Sequence, residues 1–415
     1  MIPEENMKLR VNGARLKRSL LELGRIGGTK RGGVHRLALT DDDRRARGLL
    51  VKWLKGCDLD VRIDQIGNIF GRTKGSHSSP ILVGSHIDTQ PLGGKFDGAY
   101  GVMSALEIVR TLRDGKIKPP RPIEIVSWTN EEGARFSPPL IGSGVFAGKF
   151  SPEYAYSLKD NEGNLLVDEL KKIGYRGRTL PAPHEKIQSY LELHIEQGPV
   201  LEAKTMSIGV VKGILGIVWL EVFIAGESNQ AGPTPMDSRK DAILASADMI
   251  RAVRNIAQKA GPDVVSTVGL ITAAPNSPNT IANRVRFTVD IRSWDEGRVD
   301  KALNMLKSDV RAAALREGVS FKIRKIWRAR HVQFDSKVIS TIRNVAQTFG
   351  YKHMDIVSGA GHDAKFLSEI CPTGMIFVPS VNGRSHCEDE RTNWKDLENG
   401  ANVLLHSTLA LASSA

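Results

Sequence analysis

Four short apolar runs constrain what this chain can fold into more than any other feature: Ile81-Leu82-Val83, Ile123-Glu124-Ile125-Val126, Tyr190-Leu191-Glu192-Leu193 and Thr373-Gly374-Met375-Ile376-Phe377-Val378. Brief β-branched runs of this kind read as strands of a largely buried sheet. A polar cluster follows each of them. The first is Gly84 to Gly98, which carries His86, Asp88 and Asp97. The others are Asn130-Glu131-Glu132-Gly133, His194-Ile195-Glu196-Gln197 and Ser385-His386-Cys387. In an open α/β sheet, ligands sit outside the carboxyl ends of the strands, so clusters distant in sequence can converge on one crevice.

What such a crevice could do follows from the residue types. Imidazoles and carboxylates without thiolates form a hard-ligand set, and together they suit a pair of divalent ions. Two ions about 3.5 to 4 Å apart each need a few protein ligands, a shared bridge and a position for water. A carboxylate is the natural bridge, and Asp97 lies in a glycine-flanked loop that lets backbone approach closely. His86 and His194 then complete one shell, and Glu132 with His386 the other. Glu131 is left unligated, free to take a proton from water and pass it to a leaving nitrogen. Asp88, two residues from His86, is placed to fix that ring's tautomer. Taken singly, a histidine after a strand is more often a satisfied loop residue, and a Glu-Glu pair is common on solvated faces. The two-metal hydrolase reading rests on all of them together. His35, His77, His184, His331, His353 and His406 have no such company and are read as structural.

Periodicity places the bridge. In Gly98 to Asp114, Val102, Ala105, Leu106, Val109 and Leu112 fall at helical spacing, with Glu107, Arg110 and Arg113 expected outward. Asp97 then sits at a helix N-terminus, where the macrodipole favours a carboxylate. Between the third and fourth clusters the pattern changes. A strand is expected from about Val210 to Ala225, a helix from Arg239 to Ala260, and strands near Val264 to Thr272 and Val285 to Trp294. A second helix follows from Asp295 to Arg316, then a strand from Val319 to Trp327. This is the β-α-β-β-α-β order of a ferredoxin-like unit. The expected division is a discontinuous metal-binding domain, residues 1–209 and 331–415, interrupted by a lid or dimerisation domain, residues 210–330. Ser407 to Ala415 is expected as a closing helix or frayed tail.

Composition excludes several classes. The 415 residues suffice for two domains, and no run approaches the roughly 18 apolar residues of a membrane span. The first ten residues lack the basic region of a signal peptide, and three cysteines form no even framework; a soluble, cytoplasmic protein is expected. The formal net charge of +12 invites a nucleic-acid reading. However, the basic residues are dispersed, with modest clusters at Lys8 to Arg18, Arg44 to Arg47 and Lys322 to Arg330, and no reading motif accompanies them. Neither a nucleic acid nor a membrane is an expected partner.

Several runs carry a family resemblance. Gly32 to Asp41, Gly84 to Gln90, Gly94 to Gly98, Asn130 to Phe136, His194 to Pro199, Ser358 to Ala364 and Gly383 to Cys387 resemble the hydantoinase/carbamoylase amidases. That group comprises N-carbamoyl-L-amino acid hydrolases, β-ureidopropionases and allantoate amidohydrolases, within the di-metal exopeptidases and aminoacylases. The resemblance spans nearly the whole chain. It implies an α/β catalytic domain with a central mixed sheet and an inserted ferredoxin-like lid, a homodimer formed through that lid, and two ions of Zn, Mn, Co or Ni per subunit. It also implies that His86, Asp97, Glu132, His194 and His386 hold the metals and that Glu131 is the general base. Substrate contacts are implied for Gln197, Asn279, Arg292, Gly361 and His362. Arg292 has a rationale of its own, since a planar guanidinium suits bidentate recognition of a carboxylate.

One position departs from the family pattern. Within Gly226 to Met236, Gln230 stands where most relatives carry a histidine that helps stabilise the oxyanion. A glutamine amide can donate a hydrogen bond but cannot become cationic. The implied reaction is hydrolysis of the ureido C–N bond of an N-carbamoyl-L-amino acid. Allantoate, N-carbamoyl-β-alanine, and the amides cleaved by aminoacylases and dipeptidases are the alternatives. A non-catalytic binder that keeps the fold is a third reading, disfavoured because Glu131 and every implied ligand are present.

Overall fold

The computed structural model describes residues 8–414. They separate into two compact units. One holds the described residues up to Gly213 and from Gln333 onward, and the other is Ile214–Val332.

The first unit is α/β, built on a nine-stranded mixed sheet. Its centre is four adjacent parallel strands in the order Ile123–Trp128, Ile81–His86, Ser189–Ile195 and Thr373–Val378. These are the four apolar runs, and every residue in them is buried, as parallel strands covered on both faces require. Antiparallel strands flank them, Ile69–Arg72 on one side and Ile208–Ile214 on the other. Register sets the carboxyl ends level. His86 lies opposite Trp128, and His194 opposite Phe377. All four strands therefore release their following loops along one edge.

The helix Ala99–Asp114 packs on Ile81–His86 and carries Asp97 just ahead of its N-cap, Gly98. Gly98 turns at φ 60°, and a Cβ there would fall on the His86 ring, so only glycine lets the helix start so close to that imidazole. The outward placement of Glu107 is corrected. It is fully buried and takes Arg15 at 2.8 Å, because the helix Gly13–Gly24 covers the face expected to meet solvent. The last helix runs Trp394–Ala412 and is buried over most of its length, so the chain closes in a packed helix.

The second unit is an antiparallel sheet in the order Ser320–Ala329, Gly216–Ala225, Arg284–Ser293 and Val265–Thr267, with Ile271–Ala274 also paired to Arg284–Ser293. The helices Ala242–Ala260 and Glu296–Arg316 pack on it. Alternation in the strands supplies the core: Val218, Leu220, Val222 and Ile224, with Val285, Phe287, Val289 and Ile291, meet Met249, Val253, Leu306 and Val310. The single strand expected from Val210 to Ala225 is two, Ile208–Ile214 and Gly216–Ala225, which belong to different sheets. The strand expected over Val264 to Thr272 is likewise two short pieces. No helix among the described residues is long and apolar enough to cross a membrane.

Candidate active site

Beyond the carboxyl edge of the parallel strands, the ligand atoms of His86, Asp97 and His194 lie within 4.8 Å of one another, as do those of Asp97, Glu132 and His386. Asp97 belongs to both groups. Its Oδ1 is 3.7 Å from His86 Nε2 and 3.1 Å from His194 Nε2, while its Oδ2 is 3.3 Å from His386 Nε2. His386 Nε2 also lies 3.5 Å from Glu132 Oε2. One carboxylate thus faces a group of ligands with each oxygen, which is the arrangement a bridge needs. The donor set, two nearly dry imidazoles, a half-exposed one and two carboxylates, fits a pair of divalent cations.

Local backbone explains how these side chains are aimed. His86 and His194 are at or next to the last residues of their strands. His86 Nδ1 donates to the Asp88 main-chain carbonyl at 2.9 Å and His194 Nδ1 to that of Ile195 at 2.9 Å, which leaves each Nε2 directed at Asp97. The Asp88 expectation is corrected in its atom. Its carboxylate is 3.8 Å from His86 Nδ1 and instead accepts the backbone N–H of Glu131 and of Glu132, each at 3.3 Å. Asp88 therefore fixes the tautomer through its carbonyl and holds the Glu131-Glu132 turn through its side chain. Asn130, Gln197 and His386 all sit at left-handed φ, 54°, 59° and 55°, so three site loops bend sharply where they meet the cluster.

Burial and charge tune the groups. Burial lowers His86 to about 4, so its ring is neutral. Burial would raise Asp97, but the hydrogen bonds of His194 and His386 outweigh it and hold Asp97 well below the usual carboxylate range. For His194, burial lowers and Asp97 raises, with a balance near 9. Yet the Gly98 N–H points at His194 Nε2 from 3.1 Å, as a donor meets a lone pair, and this geometry is that of the neutral ligand form. Glu131 is pushed well above the usual range by burial, then by Asp363 and Glu132. Its Oε2 lies 3.3 Å from His86 Nε2, and it belongs to neither ligand group.

Other expected residues fall as follows. The Gln197 amide meets Asp97 Oδ2 at 2.8 Å and His386 Nε2 at 3.2 Å, with its own Oε1 buried and unpartnered. His362 is buried, packs edge-on against His194 at 4.5 Å and bonds Ser358 Oγ at 3.0 Å; Gly361, just before it, is nearly clear of neighbours. In the second unit, Gln230 is exposed and bridges Thr280, and Ala231 N bonds the Asn279 carbonyl at 2.9 Å, so Gln230 and Asn279 occupy adjoining segments. Arg292 forks onto Asp290 of its own strand, at 2.7 Å for the shortest contact. Sequence reasoning missed Glu390, a buried carboxylate that accepts the Asp97 N–H at 3.2 Å. It also missed Glu192, buried behind His194 and held by Ser85, Tyr190 and Ala364 N. Glu390 ends the acidic run Glu388-Asp389-Glu390 four residues beyond His386, a run whose composition reads as solvated surface. Glu192 could have been suspected as the lone charge in an otherwise apolar run.

The sequence model of peptidase family M20/M25/M40 matches residues 82–410. The chain belongs to this family. Within M20 it is an amidohydrolase, similar to the hydantoinase/carbamoylase amidases. It is 43% identical to the N-carbamoyl-L-amino-acid amidohydrolase of Rhizobium meliloti, over 99% of this chain and 98% of that protein. It is 33% identical to the allantoate amidohydrolase of Escherichia coli K12, over 94% and 95%. Among solved structures, the hydantoinase/carbamoylase family amidase of Burkholderia vietnamiensis superposes with a TM-score of 0.92 at 44% identity, covering 98% of this chain and 99% of that one. Both ligand groups and Glu131 of this M20 chain lie inside the matched span.

Proposed function

We propose that the protein hydrolyses the ureido C–N bond of N-carbamoyl-L-amino acids, dependent on two divalent ions, releasing the amino acid, carbon dioxide and ammonia. The observation that carries this reading is the pair of ligand groups sharing Asp97, with Glu131 beside them and outside both. The similarity to an N-carbamoyl-L-amino-acid amidohydrolase over the full chain supports the substrate class.

His86, Asp97 and His194 would hold one ion, and Asp97, Glu132 and His386 the other; Zn, Mn, Co and Ni all suit such ligands. Bound there, the ions supply Lewis acidity to the ureido carbonyl and lower the pKa of water. Glu131 takes the proton from the attacking water and returns it to the departing nitrogen. Its burial among other carboxylates raises its proton affinity, which suits a group that must both accept and donate. Asp88 keeps Glu131 and Glu132 in register through their backbone N–H groups. Gln197, Gly361 and His362 would line the substrate on the first unit; for Asn279 and Arg292 of the second unit, substrate contact rests on the family resemblance, Arg292 offering a carboxylate the fork it gives Asp290. Gln230 would supply a neutral oxyanion donor.

The second unit, Ile214–Val332, whose bounds lie a few residues later than the expected 210–330, is assigned as lid and dimerisation domain of a homodimer. Two features support this: the Ser320–Ala329 strand forms one edge of its sheet, and Phe321 and Ile323 line a groove of about 950 Å³ against the helix Glu296–Arg316. A second reading, allantoate amidohydrolase, is favoured by the similarity to such an enzyme; β-ureidopropionase, aminoacylase and dipeptidase activities are less supported.

The test is a panel of N-carbamoyl-L-amino acids, N-carbamoyl-β-alanine, allantoate, N-acetyl amino acids and dipeptides, assayed after chelation and reloading with each metal. Ammonia release from N-carbamoyl-L-amino acids, lost on chelation and restored by metal, is expected. Preferred turnover of allantoate or of a dipeptide would replace the reading.

A further inference from the structure

We propose that Glu390 is a positioning residue that ties the Asp97 loop to the His386 loop and sets how tightly the Asp97–Glu132–His386 group holds its ion; this rests on the two-ion reading above. Glu390 is 2% exposed and belongs to neither ligand group. Its Oε1 accepts two backbone N–H groups, of Phe96 at 2.9 Å and of Asp97 at 3.2 Å. Its Oε2 accepts Ser385 Oγ at 2.9 Å, and that hydroxyl lies 3.0 Å from Asp97 Oδ2. One carboxylate therefore grips the main chain at the bridging residue and the side chain immediately before His386.

The surrounding chain is built around it. A Cβ at Gly94 would fall on the Glu390 carboxylate, so the glycine loop preceding Asp97 is what admits the group. Its sequence neighbours Glu388 and Asp389 pair with Arg31 and Arg384. Glu390 forms no such pair among the described residues. A buried anion held only by dipoles is costly unless a positive charge lies near. Ser385 Oγ links this carboxylate to that of Asp97, so an ion seated at Asp97, Glu132 and His386 would lie close to both negative groups.

Two contributions follow, and they separate experimentally. Through its hydrogen bonds Glu390 fixes the direction of the Asp97 carboxylate and the left-handed turn at His386. Through its charge it strengthens the field that an incoming cation meets. Partners one layer behind metal ligands typically change affinity or activity by about 10- to 100-fold when removed.

The experiment titrates Mn²⁺ into chelator-treated full-length protein by calorimetry, alongside the visible spectrum of the Co²⁺-loaded form and the kcat and KM of the reloaded enzyme. Glu390→Gln keeps an oxygen for the two N–H groups and removes the charge; Glu390→Ala removes both. The expected result is two ions bound by the wild type, with one of them weakened about 10-fold in Glu390→Gln and further in Glu390→Ala. The Co²⁺ band should shift, and kcat should fall with KM within about twofold. Asp389→Asn, at an exposed pair, should match the wild type. If the alanine variant fails to fold, the isosteric glutamine variant carries the test. Wild-type affinity for both ions in Glu390→Gln would overturn the proposal and leave the two-ion reading standing. A wild type that binds no pair of ions would overturn both.

Discussion

At the scale of single residues, the site is a set of carboxylates whose roles differ by what they touch. Glu131 and Glu132 are adjacent, yet only Glu132 faces His386, so removing the charge of each should have different consequences. Glu131→Gln is expected to lower kcat by at least about 100-fold, the loss of a general base, while both ions stay bound and KM moves little; metal analysis of the purified variant with steady-state kinetics checks this. His386 supplies a pH dependence. Burial lowers it, but the hydrogen bond and charge of Asp97 and the charge of Glu132 win, carrying it to about 9. Because that value lies above the ordinary imidazole value, the pairing stabilises the fold fully below about 6.5 and is lost as pH rises through about 9. An ion must displace the same proton, so affinity at this group should climb as pH rises toward about 9 and level off above it. Calorimetry in buffers of different ionisation enthalpy would register the released proton, and pH-independent affinity would contradict it. The strand-end histidines and the Glu-Glu pair were legible because each follows an apolar run. Glu390, and the Asp88 carboxylate on two backbone N–H groups, were not, since their work is done through main-chain contacts that residue types do not announce.

Elements show the same division between what a pattern reveals and what packing decides. The four parallel strands were readable because burial on both faces leaves a nearly continuous apolar run, three of the four entered through a proline, Pro80, Pro122 or Pro372. Helical spacing in Ala99–Asp114 identified the stripe on the sheet, but it could not tell that Gly13–Gly24 lies over the opposite stripe. Glu107 consequently became a buried carboxylate served by Arg15, Asn12 N and Thr111. Arg15→Met should strand it. Breaking a buried pair from one side costs about 3 to 5 kcal/mol, and the partial exposure of Arg15 together with the remaining donors puts the expected loss near or below about 3 kcal/mol, measured by urea unfolding. In the second unit, alternation located the strands, while the division at Ile214 to Gly216 escaped because both pieces are apolar and nearly contiguous. The edge strand Ser320–Ala329 exposes Phe321 and Ile326. If this edge pairs two copies, Phe321→Glu combined with Ile326→Glu should convert a dimer to a monomer in light scattering, with the single-chain fold retained; an unchanged dimer would place the interface elsewhere.

For the molecule as a whole, the two units have separate cores, and every metal-ligand candidate belongs to the discontinuous one. A ligand that binds only the native state stabilises it by about 2.7 kcal/mol at a hundredfold excess over its dissociation constant. For a domain of 150–250 residues, 1 kcal/mol corresponds to roughly 2 to 4 °C in Tm, and to somewhat less for the larger unit that carries Asp97. Metal loading should therefore raise the thermal transition of the unit carrying Asp97 by several degrees and leave that of Ile214–Val332 in place. Scanning calorimetry of chelated and reloaded protein would resolve this, and a variant with Asp97→Asn should lose the metal-dependent shift while keeping the second transition. The antiparallel unit has the means to unfold on its own terms: its helices Ala242–Ala260 and Glu296–Arg316 and its strands bury Val222, Phe287, Met249 and Leu306 against one another. Equal displacement of both transitions by metal would mean instead that the units unfold as one cooperative body, and that ligand binding at the carboxyl edge of the parallel strands is felt across the chain.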